Sequence, residues 1–394
     1  MKTNLIAGTL LLTILLNGFG IDIYVPSLPV MKNWFHTTSE LVQWTVGCYL
    51  LGFASIQLFI GSICDSIGRR KPYFCSLILY AMLSWIVAQT DDITSLLILR
   101  FLQGLAVGTY TVACRAMLVD LFQGKKLEAM SNYVLIAYAI GPIIAPTIGG
   151  YLQHYFGWQM NFIFLSGYAL VCFVLAAFCL PETLKIKQPL SFHHWFHSSK
   201  TVLSHVEFWL ISLITGSIYS LLILFNVVAP FLIEEVMHYS VVAYGYVALV
   251  MGLAWFLGTS TGRMLQNVEK RKRIKSGLLM MLFGGVTLLL LSLKTLNLLA
   301  LVIPMCLILY CGGIVLSTYY AQGMAIFPSA MAATAGAFMG VIVLIIASVF
   351  GSFLGAQLKS TTMTPLAGMI LFLLMSCGLL SIIAKKYYEK NKVD

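Results

Sequence analysis

Gly61-Ser62-Ile63-Cys64-Asp65-Ser66-Ile67-Gly68-Arg69-Arg70-Lys71 closes one long apolar run, residues 41–64, and leads through a short polar turn into the next, residues 72–90. About 20 apolar residues are enough to cross the hydrocarbon core as a helix. A turn this short between two such runs returns the chain to the side of the bilayer it left. Its three basic residues, Arg69, Arg70 and Lys71, mark that side as the cytoplasmic one, because basic residues concentrate in cytoplasmic loops.

The same pattern extends in both directions. Further apolar runs fall at 5–28, 94–118, 128–151, 159–180, 207–233, 241–265, 275–293, 297–320, 330–357 and 364–386. The expected fold is an all-α membrane protein of twelve transmembrane helices. Connections are short except at 181–206, which divides the chain into an N-terminal six-helix bundle (1–180), a central cytoplasmic loop (181–206) and a C-terminal six-helix bundle (207–394). The apolar run that follows Lys2 carries no small-residue cleavage site, so it is read as a retained first helix rather than a leader.

Composition agrees. Of 394 residues, 60% are hydrophobic and 10% charged, against about 25% charged in soluble domains. The formal net charge is +10, from 24 Lys and Arg against 14 Asp and Glu. The basic residues form short clusters between apolar runs, which excludes the continuous soluble basic face that nucleic-acid binding needs. The runs are also too long and continuous for barrel strands of about ten alternating residues. Nine Cys, with no CxxC pair, read as small buried hydrophobes.

Charge placement sets the orientation. With the N-terminus in the cytoplasm, that side holds Lys125-Lys126, Lys185, Lys187, Lys200, Lys270-Arg271-Lys272-Arg273 and Lys275, and Lys385, Lys386, Lys390 and Lys392 in the tail. The outer loops hold Lys32, Lys294 and Lys359, together with Asp91-Asp92 and Glu234-Glu235. Both termini are therefore expected on the cytoplasmic side of the membrane. The central loop carries His193, His194, His197 and His205 among Phe192, Trp195 and Phe196. With no Cys or carboxylate beside them to complete a metal site, this stretch reads as an amphipathic linker on the membrane surface, and no metal is expected.

Asp22 is the only carboxylate deep within an expected span, and Arg100 opens the fourth one. Intramembrane ionisable residues are costly and mark proton or substrate paths. The first helix runs outward and the fourth inward, which puts Asp22 and Arg100 at similar depth. They are the expected proton-coupling pair.

Five stretches carry a family resemblance. The quoted loop resembles the signature loop of the major facilitator superfamily, with Gly61, Asp65, Gly68, Arg69 and Arg70 in place and Ser66 where an Arg is usual. Leu99-Arg100-Phe101-Leu102-Gln103-Gly104, followed by Gly108, resembles that family's R-x-x-Q-G motif. Asp22-Ile23-Tyr24-Val25-Pro26-Ser27-Leu28-Pro29 looks like the bicyclomycin/chloramphenicol-resistance branch of its drug:proton antiporters. The run from Ala137 through Gly141-Pro142, Ala145-Pro146 and Gly149-Gly150 resembles the string that marks antiporters, in that branch's variant. Pro181-Glu182-Thr183-Leu184 resembles the branch's usual end of the first half.

The resemblance implies two pseudo-symmetric bundles of six helices and a secondary transporter, not an enzyme. It implies proton-coupled efflux of small amphipathic organic molecules such as drugs by alternating access. A dedicated exporter of a metabolite such as a siderophore, or a proton-coupled uptake symporter, would use the same machinery. It further implies a monomer in the lipid bilayer, no cofactor, and the proton gradient as energy source. Conformational gating falls to Gly61, Asp65, Gly68, Arg69, Arg70, Gly141, Pro142, Pro146, Gly149 and Gly150. In the first half, Asn17, Tyr24, Gln57, Tyr110, Tyr133 and Tyr138 are expected to line the substrate cavity. In the second half the expected liners are Tyr219, Asn226, Tyr310 and Tyr319. Tyr suits amphipathic cargo because it offers an apolar face with a polar tip. Arg115, at the inner end of the fourth run, would instead suit an anionic one.

Overall fold

A computed structural model of the chain describes residues 2–184, 186–187, 199–328, 331–358 and 361–390. His193, His194 and His197 lie outside the described residues. In the first half the long helices are α1 (Lys2–Asp22), α2 (Ser39–Ile67), α3 (Arg70–Val87), α4 (Ile93–Leu121), α5 (Gly124–Phe156) and α6 (Gln159–Cys179). In the second they are α7 (Val206–Pro230), α8 (Val241–Met264), α9 (Lys270–Ser292), α10 (Leu298–Met324), α11 (Ala332–Ile346) and α12 (Thr364–Lys390).

Eleven of these, with their continuations, are long and apolar enough to cross a membrane. The twelfth expected span is α3, which is in place. Its first turn holds Arg70 and Lys71, which dilutes the apolar content of an 18-residue helix. Most helices outrun the apolar runs by a few residues, because a helix can continue past the hydrocarbon edge into the polar zone.

Helix ends follow local chemistry. The Thr38 hydroxyl accepts from the Leu41 N–H at 3.4 Å and starts α2, and Gly68, at φ +106°, ends it. The Asp92 carboxylate accepts from the Ser95 N–H at 2.7 Å and starts α4; that bond and its neighbours hold the Asp92 pKa below the ordinary value. The first span breaks after Asp22, passes through a 3-10 turn at Val25–Ser27 and resumes as a short helix, Leu28–Trp34. Pro26 and Pro29 explain the interruption, since each lacks an N–H and is tolerated only in the first turn of a helix.

Glu234 and Glu235 correct the expected outer loop. They lie in a π-helical turn, Phe231–Val236, that prolongs α7 into one apolar helix from Val206 to Val236. Pro230, just before it, removes the donor of the regular i−4 bond and favours the wider register.

The chain separates into two compact units, Met1–Phe192 with Val241–Tyr246, and His193–Ser240 with Val247–Asp394. In the first, α2 and α4 cross at glycines. A Cβ on Gly52 would strike the Phe101 carbonyl, one on Gly104 the Tyr49 carbonyl and one on Gly108 the Ile56 side chain. In the second, α8 and α10 meet in the same manner, Gly258 against the Tyr310 carbonyl and Gly313 against the backbone of Trp255 and Thr259. The repeat continues elsewhere. Gly18 of α1 lies against Gly141 and Pro142 of α5, and in the second unit Gly216 of α7 lies against Ile346 of α11. Small residues permit this backbone approach where lipid offers no hydrophobic drive for helix association.

Candidate functional site: a buried arginine and a rim of ion pairs

Arg100 is fully buried in the first unit. It sits on α4, and Gln103, one turn on, shares its face. The guanidinium Nη1 donates to Gln103 Oε1 at 2.8 Å and Nη2 to the Gly20 carbonyl at 3.0 Å. Its plane lies over Tyr24 and Tyr49, with centroids at 4.4 and 4.2 Å, and beside Phe162 at 5.8 Å. Gln103 Nε2 in turn donates to Ser84 Oγ at 2.8 Å, and the Tyr24 hydroxyl meets Thr45 Oγ1 at 2.8 Å. One cation therefore ties together α1, α2, α3, α4 and α6.

Magnitudes explain why an arginine is tolerated there. Placing one at a helix centre in a membrane costs about 3 kcal/mol on insertion scales. Each hydrogen bond from a charged group returns about 1.5–3 kcal/mol, and a desolvated cation–π contact about 2 kcal/mol. The arrangement exceeds the cost and leaves the guanidinium fixed in position. Gly20 is required beside it, because a Cβ there would strike the Tyr49 and Tyr80 hydroxyls.

Asp22 closes α1, two residues beyond the carbonyl that Arg100 holds, and is 3% exposed. Arg100 thus anchors the turn on which Asp22 stands.

The second cluster lies at the end of α2. Arg69 pairs with Asp65, one turn back, and its Nε reaches Asp120 Oδ2 at 3.4 Å. The Glu182 carboxylate accepts from the Arg69 N–H at 3.0 Å and the Arg70 N–H at 3.2 Å, capping α3 where the helix dipole favours an anion. Thr183 Oγ1 donates to Asp120 at 2.8 Å. Partial burial works against the Glu182 charge, but backbone N–H bonds from Leu184, Arg69, Arg70 and Thr183 outweigh it and hold its pKa below the ordinary glutamate value. Ser66, where the signature has Arg, donates back to Ile63 O at 2.9 Å and adds nothing to this network.

A model of the family described as the Major Facilitator Superfamily matches residues 10–352. The chain belongs to the Major Facilitator Superfamily. The facilitator chain is 26% identical to a bicyclomycin resistance protein homolog of Haemophilus influenzae over 380 residues, covering 95% of this chain and 93% of that protein. It is 26% identical to the multidrug resistance protein MdtL of Klebsiella pneumoniae subsp. pneumoniae, covering 94% and 92%. These relatives fall where the motif resemblance pointed, and they make the chain a transporter rather than an enzyme. The fold matches the crystal structure of a D-xylose-proton symporter with TM-score 0.75 at 14% identity, covering 96% and 97% of the two chains.

The other expected residues of this facilitator spread widely. Gly141 and Gly149 close on α1 of their own unit, against Gly18 and the Ile23 carbonyl; Pro142 faces Gly18, and Pro146 is buried. Gly150 faces Val241 and Val242 at the start of α8, which cluster with the same unit. Gly61 faces open space. Asn17 Nδ2 donates to Thr111 Oγ1 at 3.3 Å, and Tyr110 is fully buried. Arg115 Nε donates to the Tyr138 hydroxyl at 3.1 Å with its guanidinium 5.0 Å over that ring. Tyr133 is 51% exposed, and Gln57 is half-buried. In the second unit Tyr219 packs on Trp255, Tyr310 donates to Thr261 at 3.2 Å, Asn226 is buried, and Tyr319 meets Ser381 at 2.6 Å.

Sequence reasoning missed Gly20, Tyr49, Ser84 and Asp120 and gave Gln103 and Glu182 no role. Gln103 had a usable signal, its spacing of three from Arg100. Gly20 and Tyr49 had none, since only the folded packing brings them together.

Proposed function

We propose that the protein exports small amphipathic organic molecules, drugs among them, across the bacterial inner membrane in exchange for inward-moving protons. The observation that carries this reading is the buried Asp22 on a turn held by the buried Arg100. Protonation of Asp22 from outside and release to the cytoplasm, alternating with cargo, couples the two fluxes. No cofactor is needed, because the proton gradient supplies the energy. Alternating access by rocking of two repeats about a midplane site is the general scheme for such folds. The basic loops support an orientation with both termini in the cytoplasm.

The names of the two relatives, a bicyclomycin resistance protein homolog and a multidrug resistance protein, favour drug export. They favour it over a dedicated metabolite exporter, for a siderophore for example, and over an uptake symporter. Inverted membrane vesicles containing the protein and energised to an acid interior test the reading. They should accumulate an amphipathic dye or antibiotic, and a protonophore should abolish the accumulation. Accumulation that persists without the gradient contradicts it.

A further inference from the structure

A cavity of about 910 Å³ opens within the second unit, among α9, α10 and α12. Its chemistry is split. One end is lined by Lys270, Arg271, Lys275 and Lys385, with Glu269 as the one carboxylate among the lining residues. Glu269 is itself paired with Lys272 at 3.6 Å, and Glu207, which holds Gln322, also faces Lys270; four cations against these two carboxylates leave the rim with a cationic excess. The wall is apolar, formed by Ile274, Leu278, Leu279 and Ile382, and the floor is Tyr319 and Gln322. The polar floor groups are already engaged, Tyr319 with Ser381 at 2.6 Å and Gln322 with Glu207 at 3.0 Å.

Exposed apolar side chains continue from this cavity along the two outer helices. On α9 they run from Leu279 to Phe283 and Leu290; on α12 they run from Ile382 back to Leu379, Met375 and Phe372, and all seven are more than half exposed. Spacings of three, four and seven residues keep each set on one face. A ligand that fills this space has an anionic head at the helix ends and a long apolar tail lying along the span.

We propose that this cavity is a binding site for an anionic phospholipid of the surrounding membrane. Its headgroup phosphate sits among Lys270, Arg271, Lys275 and Lys385, and its acyl chains lie on the α9–α12 face. Basic pockets between membrane helices recognise lipid headgroups through the same combination of charge and apolar contact. A water-soluble anion fits less well, because the apolar wall and the exposed stripes would give it nothing.

Native mass spectrometry of the full chain in detergent, titrated with phosphatidylglycerol or phosphatidylcholine, tests this. The wild type should retain phosphatidylglycerol in preference. A Lys275→Gln/Lys385→Gln variant should lose about 25-fold in affinity, about fivefold per cation removed. Lys275→Arg/Lys385→Arg should bind as the wild type does, which separates loss of charge from loss of fold. Equal retention of phosphatidylcholine, or a Gln variant that binds normally, overturns the proposal. So does an equal loss in Lys125→Gln/Lys126→Gln, which would reduce the effect to net charge. Displacement of the lipid by glycerol 1-phosphate would assign the pocket to a soluble anion and also overturn it.

Discussion

The Nη2 of Arg100 holds the carbonyl oxygen of Gly20 at 3.0 Å. Gly20 lies in the last turn of α1, where carbonyls lose their intrahelical donors. The arginine supplies the donor that the broken helix lacks, and so fixes the turn that carries Asp22. Arg100→Lys keeps the charge but cannot fork between Gln103 and Gly20 while lying flat on two aromatic rings. It should destabilise the protein by about 2 kcal/mol and cut coupled transport more than it cuts cargo binding. Thermal melting in detergent, with cargo-binding and flux assays, measures both.

The glycine crossing of α2 and α4 predicts a sharp contrast. A Cβ on Gly104 meets backbone atoms of Tyr49 and Phe53, which cannot rotate away, whereas one on Gly61 meets nothing within 4 Å. Gly104→Ala should cost about 1–3 kcal/mol by overpacking and lower the yield of folded protein. Gly61→Ala should melt with the wild type, although Gly61 belongs to the signature loop. Size-exclusion profiles and melting curves of the two variants check this.

Glu182 gives a pH dependence with a definite sign. Its folded pKa lies below the ordinary value. The cap is therefore fully stabilising above the unfolded glutamate pKa of about 4.3 and is lost as pH falls through the lower, folded value. Glu182→Gln removes the carboxylate from the α3 N-terminus and should cost about 1 kcal/mol at neutral pH. The difference in melting temperature between wild type and variant should shrink as the pH is lowered toward 3. A difference that stays constant across that range would show that the carboxylate charge is not what caps α3.

Much of the fold was legible in the sequence because the bilayer imposes a simple rule of long apolar runs separated by charged turns. The rule fell short at two places where proline chemistry intervened. Before Pro26 the expected first helix ends early, at Asp22, and Pro29 lies in a separate short helix, Leu28–Trp34, beyond the expected run. At Pro230 the expected outer loop with Glu234 and Glu235 became a π-helical turn of the span. Asp22 and Arg100 stand out in the sequence as candidates because charge is rare within the spans. Their surroundings do not, because Tyr49, Ser84 and Phe162 are ordinary residues in apolar runs until packing brings them to the guanidinium. The expected Tyr residues meet different partners, Tyr24 lying under Arg100 and Tyr319 meeting Ser381.

The most direct test of the coupling claim is proton movement in proteoliposomes under an inward-directed proton gradient, with amphipathic antibiotics and dyes added in turn, for the wild type and Asp22→Asn. The account predicts cargo-dependent proton flux in the wild type and its loss in Asp22→Asn, with the variant still folded and still binding cargo. Flux that stays fully coupled in Asp22→Asn, or cargo movement that ignores the gradient in the wild type, would contradict it.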